Sequence, residues 1–340
     1  MPNDLAQWPD IAGQFSDTIL IGNGASRAVS ERFNYPSLLE VARASEVDSP
    51  LSDVDTRAFH LVNETNFESV LGALFHAYRL ARNAGVADPD ELRRQYDRIR
   101  TTLIQAIRHV HPEKTEIHGG RLMQVRDSLL AFSEVFTTNY DLLLYWAMAS
   151  SDGERLDEFA DLFRGGSELT FDVLRDNSFP TRTRVLYLHG ALHIFELPNG
   201  PTVKARYAPG QSLLAQTFKH GDARFPLIVS EGDPRLKLAA TTSNDYLNFA
   251  RSQWIEAVNS SRSLVVFGHS MGPGDAHLVN AMPDRRSDDS APPVAVALRQ
   301  ESDSPERRAV YTRQLKTSNL VFFDAATHPL GYDATPIALP

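Results

Sequence analysis

Short apolar runs that stop at glycine or at polar residues constrain the fold of this chain more than any other feature. Wholly apolar runs of this kind are typical of parallel strands that are covered on both faces. The runs alternate with helical patterns, which predicts the α/β class with a doubly wound parallel sheet. Four of the runs lead, in chain order, to Gly22, Asn139, His189 and Ser270. Because the carboxyl ends of parallel strands share one edge of a sheet, where ligands bind, we expect these residues to lie along a common edge.

A long helical segment separates the first apolar run from the second. Apolar residues recur at helical spacing over residues 67–82 and 91–109, and a third helix is expected over 122–132. Residues 37–133 therefore read as a helical insertion subdomain folded over the ligand cleft of a single 340-residue domain. Farther along, Asn199-Gly200-Pro201 predicts the turn of a small hairpin.

Composition and charge exclude several classes of function. A net charge of -9 argues against nonspecific binding to the nucleic-acid backbone, which needs a basic surface. The chain has no cysteine, so it forms neither disulfides nor thiolate metal sites. No apolar run reaches the length of a membrane span, and the N-terminus lacks the pattern of a signal peptide, so we expect a cytoplasmic protein.

A carboxamide and a carboxylate, Asn139 and Asp141, stand two residues apart where the second run stops. Taken alone, this pattern favours an Asx turn that opens a helix. At the first run, Gly22 and Gly24 permit a tight turn, and Ser26 opens a helix whose amides can receive a phosphate. The dehydrogenase fingerprint requires a third glycine where this chain has Arg27, a side chain that can itself neutralise a pyrophosphate.

The order of these motifs resembles the sirtuin family of NAD-consuming enzymes. In that family a Gly-x-Gly-x-Ser turn holds the NAD phosphates, a Thr-x-Asn-x-Asp strand end holds the nicotinamide ribose, and a His-Gly pair supplies the catalytic histidine. The corresponding segments are residues 22–26, 137–141 and 189–190, and the late run 264–270 resembles the strand and Gly-x-Ser turn that meet the adenosine half. The match covers roughly residues 18–282, by separate motifs.

The resemblance implies a Rossmann-like, sirtuin-type sheet with NAD as substrate. The implied catalytic residues are Asn139, Asp141 and His189. The implied NAD-binding residues are Gly22, Gly24, Ala25, Ser26, Arg27, Thr138, Gly268 and Ser270. Protein-deacylating sirtuins carry a zinc ribbon with four cysteine ligands, which a chain without cysteine cannot build.

Sirtuin-like bacterial proteins that lack the ribbon cleave NAD itself, and they deplete it during phage infection. They often act as oligomers or with a separate partner that senses infection, such as a ring-forming ATPase. The resemblance therefore implies an NAD glycohydrolase of antiphage defence that forms a homo-oligomer or binds a sensor subunit. Two alternatives keep the fold: a regulatory module that binds NAD or ADP-ribose without turnover, and protein deacylation or ADP-ribosyl transfer.

A serine esterase is the main alternative from a different class. Residues 268–272 match the Gly-x-Ser-x-Gly nucleophile elbow, and Asp324 and His328 complete the order of a Ser270 triad. Against this reading, Pro273 and Gly274 interrupt the helix that should follow the elbow.

Two groups of histidines raise the question of a metal site. His269, Asp275 and His277 are all ligand types within nine residues, but a turn and a helix N-cap at Asp275 is the favoured interpretation. We interpret His109, His111 and His118 as the surface end of a helix, because their spacing is irregular. No metal is therefore expected.

Overall fold

The computed structural model describes residues 5–33, 38–44, 47–65, 67–85, 88–149, 158–165, 169–174, 182–197, 201–206, 212–214, 226–229 and 234–331. The strands are β1 (Thr18–Ile21), β2 (Glu134–Thr137), β3 (Phe159–Ala160), β4 (Phe163–Arg164), β5 (Leu169–Phe171), β6 (Thr183–Tyr187), β7 (Gly190–Glu196), β8 (Thr202–Lys204), β9 (Pro226–Ile228), β10 (Leu264–Phe267), β11 (Val294–Leu298) and β12 (Leu320–Asp324). The helices are α1 (Trp8–Ile11), α2 (Asn23–Val29), α3 (Leu38–Arg43), α4 (Asp53–Val62), α5 (Phe67–Asn83), α6 (Asp90–Val110), α7 (Gly119–Leu130), α8 (Leu143–Met148), α9 (Pro234–Ser243), α10 (Asp245–Asn259), α11 (Ala276–Val279) and α12 (Pro305–Leu315).

The central sheet has seven strands in the order β12-β11-β10-β1-β2-β6-β3, and each neighbouring pair is parallel. Strands β1, β2 and β10 are wholly buried, as expected for strands that are covered on both faces. From β1 the chain first extends the sheet through β2 and β6, and later returns to the other side of β1 through β10. The predicted α/β fold with a doubly wound parallel sheet is confirmed, and its topological switch point lies between β1 and β10.

A second, antiparallel sheet lies outside the sequence prediction. Its order is β4-β5-β8-β7-β9. The chain passes from the central sheet to this second sheet at Gly190, whose φ of +74° turns it from the end of β6 into β7. The predicted hairpin exists as the antiparallel pair β7 and β8, but Asn199 and Gly200 of its turn lie outside the described residues.

Helices α2 to α7 lie in the chain between β1 and β2, and α5, α6 and α7 are the three that the helical spacing predicts. Helix α5 extends one residue beyond its expected end, α6 begins and ends one residue outside its expected range, and α7 begins three residues early and ends two early. Their apolar faces, for example Leu71, Ile99 and Leu129, are buried in the same hydrophobic cluster as the strands of the central sheet. The division of the chain into a main domain and an insertion subdomain stays a prediction.

No helix of the described ranges combines the length and the apolar composition that crossing a membrane needs.

We predict that Gly190→Ala destabilises the protein much more than Gly85→Ala does. Both glycines have a left-handed φ, +74° and +67°, so each alanine bears a similar backbone penalty of about 1 kcal/mol. A Cβ at Gly190 would lie 1.9 Å from the Leu227 carbonyl oxygen, whereas nothing lies within 4 Å at Gly85. We expect the free energy of unfolding to fall by at least about 2 kcal/mol more at Gly190, measured from urea unfolding curves. Equal losses in the two variants would show that β7 does not need a glycine at its start.

Candidate functional site

Three buried polar side chains form a hydrogen-bonded group at the carboxyl ends of β1 and β2. Asn139 Nδ2 donates to Ser26 Oγ at 2.9 Å and to the Gly22 carbonyl at 3.1 Å. Ser26 Oγ in turn donates to Asp141 Oδ2 at 2.6 Å. Ser26, Asn139 and Asp141 are 1%, 4% and 1% exposed, and we call them the β1–β2 cluster. The cluster links the first turn of α2 to the loop after β2, at the edge of the sheet where ligands bind.

Local backbone contacts hold the loop after β2 in place. Thr137 Oγ1 donates to the Ile21 carbonyl and accepts from the Asn139 amide, at 3.1 Å and 3.0 Å. Asp141 Oδ1 accepts from the Leu143 amide at 2.9 Å, at the start of α8. The Asx turn expected from the sequence is therefore present. It uses Asp141 Oδ1, and Asp141 Oδ2 remains to accept from Ser26. One carboxylate serves both the turn and the cluster.

Burial dominates the protonation of Asp141. It raises the pKa of this carboxyl to about 6, although hydrogen bonds from Ser26 and the Leu143 amide favour the ionised form and lower the pKa. Asp141 is therefore mostly ionised at pH 7, in a place where the charge is disfavoured. Such a conflict between burial and charge is typical of functional sites.

His111 supports this loop from behind, and the prediction that it lies at the surface is wrong. Its Nε2 accepts from the Leu142 amide at 2.9 Å, and its Nδ1 lies 2.7 Å from the Pro112 carbonyl, so Nδ1 carries the hydrogen. The ring packs edge-on against Phe33 and Trp146. Burial lowers the pKa of His111 to about 4, so the ring stays neutral. His109 and His118 are exposed, as expected.

His189 lies in the turn between β6 and β7, beside the β1–β2 cluster. Leu188 and Leu192 lie on either side of His189 in the sequence. The Leu188 amide donates to the Thr137 carbonyl and the Leu192 amide donates to the Tyr140 carbonyl, both at 2.8 Å. These two bonds tie the turn of His189 to the turn of Asn139. His189 is 5% exposed, and burial, with nearby Lys237, lowers its pKa well below the usual value. The imidazole is therefore neutral at pH 7 and can accept a proton.

Segment 269–277 reaches across the edge of the sheet and meets His189. Asp275 Oδ2 lies 3.3 Å from His269 Nε2, next to the end of β10, and Asp275 Oδ1 lies 3.8 Å from His189 Nε2, after β6. His189 Nε2 and His277 Nε2 are 3.1 Å apart. We call His189, His269, Asp275 and His277 the histidine cluster. Since β10 and β6 are three strand spacings apart, about 14 Å, this cluster spans the ends of β1 and β2.

A buried lysine accompanies the histidine cluster. Lys237 Nζ lies 3.2 Å from Asp275 Oδ1 and 3.1 Å from Glu68 Oε2, and its side chain is 3% exposed. Burial would raise the pKa of Asp275, but His269, His189 and Lys237 outweigh it and hold this pKa below its ordinary value. Sequence reasoning missed Lys237 and Glu68, because neither belongs to a motif. His269, Asp275 and His277 carried a signal through their spacing, and His189 through its place at the end of an apolar run.

The motif glycines bring the loops after β1 and β10 into contact. A Cβ at Gly22 would lie 2.5 Å from the His269 Cα, and one at Gly24 would lie 2.7 Å from the Gly268 Cα. The Gly24 amide donates to the Gly268 carbonyl at 2.8 Å, and the Ala25 amide donates to the Gly22 carbonyl at 3.0 Å. In this structure these amides bond to the protein's own carbonyls, so the glycines have a packing role at the switch point.

The other residues of the implied NAD site lie around the two clusters. Arg27 is one-third exposed and pairs with Glu31 at 3.2 Å. Thr138 is half-buried, and its amide donates to the Ile21 carbonyl at 3.1 Å. Ser270 is exposed. Among the described residues, no side-chain hydrogen bond joins Arg27, Thr138 or Ser270 to the β1–β2 cluster.

The esterase triad is not assembled. His328 Nδ1 accepts from the Leu330 amide at 3.0 Å, and its ring packs 4.4 Å from that of Trp8. Asp324 accepts from the Ala326 amide and from Gln300. Over residues 234–331, which are all described, no hydrogen bond connects Ser270 with His328.

Comparisons with known proteins identify a family for this chain. The sequence matches the family described as "Domain of unknown function (DUF4917)" over residues 19–328. No curated protein matches it. Two solved structures are similar to the chain. One, described as "Structural Basis for the Mechanism and Regulation of Sir2 Enzymes", has 10% identity and a TM-score of 0.37, and covers 94% of this chain and 90% of its own. The other, described as "Crystal structure of a Sir2 homolog-NAD complex", has 11% identity and a TM-score of 0.40, with 97% and 94% covered. At this level of likeness, activity must be inferred from the site itself.

We predict that Asp141→Asn stabilises the protein at neutral pH. The pKa of Asp141 rises from an ordinary 3.8 to about 6 in the fold, so the folded state binds its proton more tightly than the unfolded chain does. This contribution to stability is present at low pH and is lost as the pH rises between about 4 and 6. A neutral amide avoids the loss and can donate to Ser26 Oγ. We expect a gain of about 2–3 kcal/mol at pH 7.5 that disappears towards pH 4, measured by urea unfolding at each pH.

Asp127→Asn is the matched control for that variant, because the side chain of Asp127 is 67% exposed. We expect it to leave the free energy of unfolding unchanged within about 0.5 kcal/mol. If Asp141→Asn is destabilised at every pH, the carboxylate is a structural requirement of the loop and not a strained functional group.

Proposed function

This chain belongs to the DUF4917 family, and we propose that it cleaves the bond between nicotinamide and ribose in NAD, releasing nicotinamide and ADP-ribose. One observation carries the proposal: the loop after β2, which contains Asn139 and Asp141 of the β1–β2 cluster, is joined by two backbone hydrogen bonds to the turn of His189, at the carboxyl edge of the sheet. A carboxylate, a carboxamide and a neutral imidazole at such an edge are the groups that cleavage of an N-glycosidic bond requires. The motif order resembling that of sirtuins supports NAD as the nucleotide.

The transition state of this reaction determines what the site must supply. As the bond to nicotinamide lengthens, positive charge develops on the ribose ring, which becomes oxocarbenium-like. An ionised Asp141 in a buried site stabilises such a charge far better than it would in water. Its hydrogen bonds to Ser26 and Leu143 keep the carboxylate in one orientation, so no reorganisation is needed during the reaction.

Asn139 is proposed to hold the ribose hydroxyls or the attacking water. Its side-chain hydrogen bonds to Ser26 and to the Gly22 carbonyl both use Nδ2. No described residue donates a hydrogen bond to Oδ1, so this atom can accept one from a hydroxyl or a water molecule. The fixed orientation of the carboxamide makes it suited to positioning.

His189 is proposed as the general base. Water attacks the anomeric carbon of the ribose, the bond to nicotinamide breaks with its electron pair going to the pyridine nitrogen, and His189 takes the proton of the water. His189 is neutral, as a general base must be. Burial and Lys237 lower its pKa and thereby its basicity, and Asp275 offsets part of that loss. Asp275, 3.8 Å away, would stabilise the imidazolium that results.

The remaining motif residues are proposed to hold the rest of the dinucleotide. Arg27 would exchange Glu31 for the pyrophosphate. That exchange is inexpensive, because an exposed pair four residues apart on a helix contributes only about 0.3–0.5 kcal/mol. Gly22, Gly24, Ala25 and Ser26 would line the phosphate side, Thr138 the ribose, and Gly268 and Ser270 the adenosine half across the switch point.

A binding module without turnover is the second candidate. The observation that favours it is that the amides of Gly24 and Ala25 and the hydroxyl of Ser26 already bond within the chain. Such a module would bind NAD or ADP-ribose in a calorimeter and release no nicotinamide. Deacylation or ADP-ribosyl transfer would instead make nicotinamide release depend on an added peptide or acceptor.

We predict that His189→Ala and Asn139→Ala each reduce NAD cleavage by about 10²- to 10⁴-fold, because each removes a group that acts on the reacting atoms. The measurement is incubation with NAD followed by chromatography for nicotinamide and ADP-ribose. Exposed residues of the same types, in His60→Ala and Asn83→Ala, are the controls and should cleave like the parent. Thermal unfolding confirms that each variant is folded. Release of nicotinamide at the parental rate by both site variants would contradict the assignment.

We further propose that the chain depletes NAD in antiphage defence and works as a homo-oligomer or with a separate sensor subunit, such as a ring-forming ATPase. The support is the sirtuin-like motif order combined with the lack of cysteine for a zinc ribbon. An NAD-cleaving enzyme without control would poison its own cell, so assembly is the expected means of regulation.

Size-exclusion chromatography with light scattering tests the assembly. We expect a mass that is a multiple of the 37.8 kDa chain, or a cleavage rate that rises when a partner is added. A strictly monomeric protein that cleaves NAD at full rate alone would contradict regulation by assembly.

A further inference from the structure

The structure brings together three metal-ligating side chains that the sequence separates. His189 Nε2, His277 Nε2 and a carboxylate oxygen of Asp275 all lie within 4.8 Å of one another. His189 and His277 are buried, and Asp275 is half-buried. We propose that these three residues form a binding site for a divalent transition-metal ion of the zinc type.

The distances suit one ion held by both imidazoles. Two nitrogens bound to one zinc, at about 2.0–2.1 Å and near-tetrahedral angles, lie about 3.3 Å apart. The observed separation of His189 Nε2 and His277 Nε2 is 3.1 Å. Asp275 Oδ1 lies 3.8 Å from His189 Nε2, and all three ligand atoms lie within 4.8 Å of one another, so the carboxylate has to approach by about 0.5–1.5 Å to bind the same ion. Three protein ligands would leave a fourth position open for water.

The protonation states present no obstacle to the ion. Burial keeps both imidazoles neutral, and His269, His189 and Lys237 keep Asp275 ionised. No ligand therefore has to release a proton to the solvent when the ion binds. The one hydrogen between the two Nε2 atoms moves to a ring Nδ1 when the ion enters. His277 Nδ1 is buried and has no hydrogen-bond partner in the structure, so it can carry that hydrogen.

The charged groups around the three ligands do not exclude a cation. Lys237 pairs with Glu68 as well as with Asp275 Oδ1. The charge of Arg251, on α10, lowers the pKa of His277. Two carboxylates therefore offset two cationic side chains, and the imidazoles are neutral. His269, 3.3 Å from Asp275 Oδ2, lies on the far side of the carboxylate, where outer residues commonly orient a metal ligand.

The donor set selects the class of metal. Two imidazoles and one carboxylate suit zinc and neighbouring first-row ions, whereas magnesium and calcium prefer sites made of oxygen alone.

A bound ion would occupy Nε2 of His189, the residue that is proposed to accept the proton in NAD cleavage. We therefore expect bound zinc to inhibit NAD cleavage and its removal by a chelator to restore the reaction, an expectation that rests on the proposed function.

Titration of the full-length, metal-free protein with Zn²⁺ in a calorimeter tests the site directly. We expect one ion per chain, and binding weakened about 100-fold or more in His277→Ala and in Asp275→Asn. The control His60→Ala changes an exposed histidine and should bind like the parent. Mg²⁺ at the same concentrations should not bind. Binding of zinc that persists unchanged in both site variants would overturn the proposal.

Two measurements keep the test independent of how the variants fold and of NAD cleavage. The parent should unfold at a higher temperature when Zn²⁺ is present, because a ligand of the folded state stabilises it. Co²⁺ bound to the parent should show the strong visible absorption of a four-coordinate ion. A parent that shows neither effect lacks the site. Zinc binding by a protein that, when metal-free, releases no nicotinamide from NAD would support the metal site and refute the proposed function instead.

Discussion

The hydrogen bond from Ser26 to Asp141 is the interaction on which the candidate site depends. It connects the first turn of α2, after β1, with the loop after β2, over 115 residues of sequence that include helices α3 to α7. Asn139 bonds to the same serine, so the relative positions of the two strand ends are determined by side chains as well as by the sheet. His111 and Thr137 hold the loop from its other sides. A buried carboxylate with a raised pKa is retained in this place, which is unfavourable for stability and useful for chemistry.

The order of the strands gives the site its second half. Because β6 follows β2 in the sheet, the His189 turn lies beside the Asn139 turn, and two backbone hydrogen bonds join them. Because β10 lies on the other side of β1, segment 269–277 can reach back across the ends of β1 and β2. Asp275 is thereby placed between His269 and His189, and Lys237 and Glu68 complete a partly buried network of charges. The polar edge of the sheet thus consists of two connected clusters and not of isolated motif residues.

The motif glycines pack against a neighbouring loop of the protein, and their role in phosphate binding stays a proposal. The resemblance to sirtuins implies that the turn of Gly22 and Gly24 holds phosphates, which requires close approach of the backbone. Close approach is what the structure shows, but the neighbour is the loop after β10, and the Gly24 amide bonds to the Gly268 carbonyl. Gly190 similarly serves as the point where the chain leaves the central sheet for the antiparallel one. The residue types were readable from the sequence, whereas their neighbours were not.

The sequence by itself determined the local elements and the general class. Strand β1 lies directly before Gly22, where the first apolar run predicts it, and Asn244 caps α10 by accepting from the Leu247 amide, because burial and capping depend on residues close together in the chain. The sequence also singled out Asn139, Asp141 and His189, whose types stand out at strand ends. Only the tertiary structure decided that His189, Asp275 and His277 meet, that Lys237 and Glu68 join them, and that His111 turns inward. These contacts join residues from about 30 to about 170 positions apart, and their geometry follows from the order of strands in the sheet, which no local pattern records.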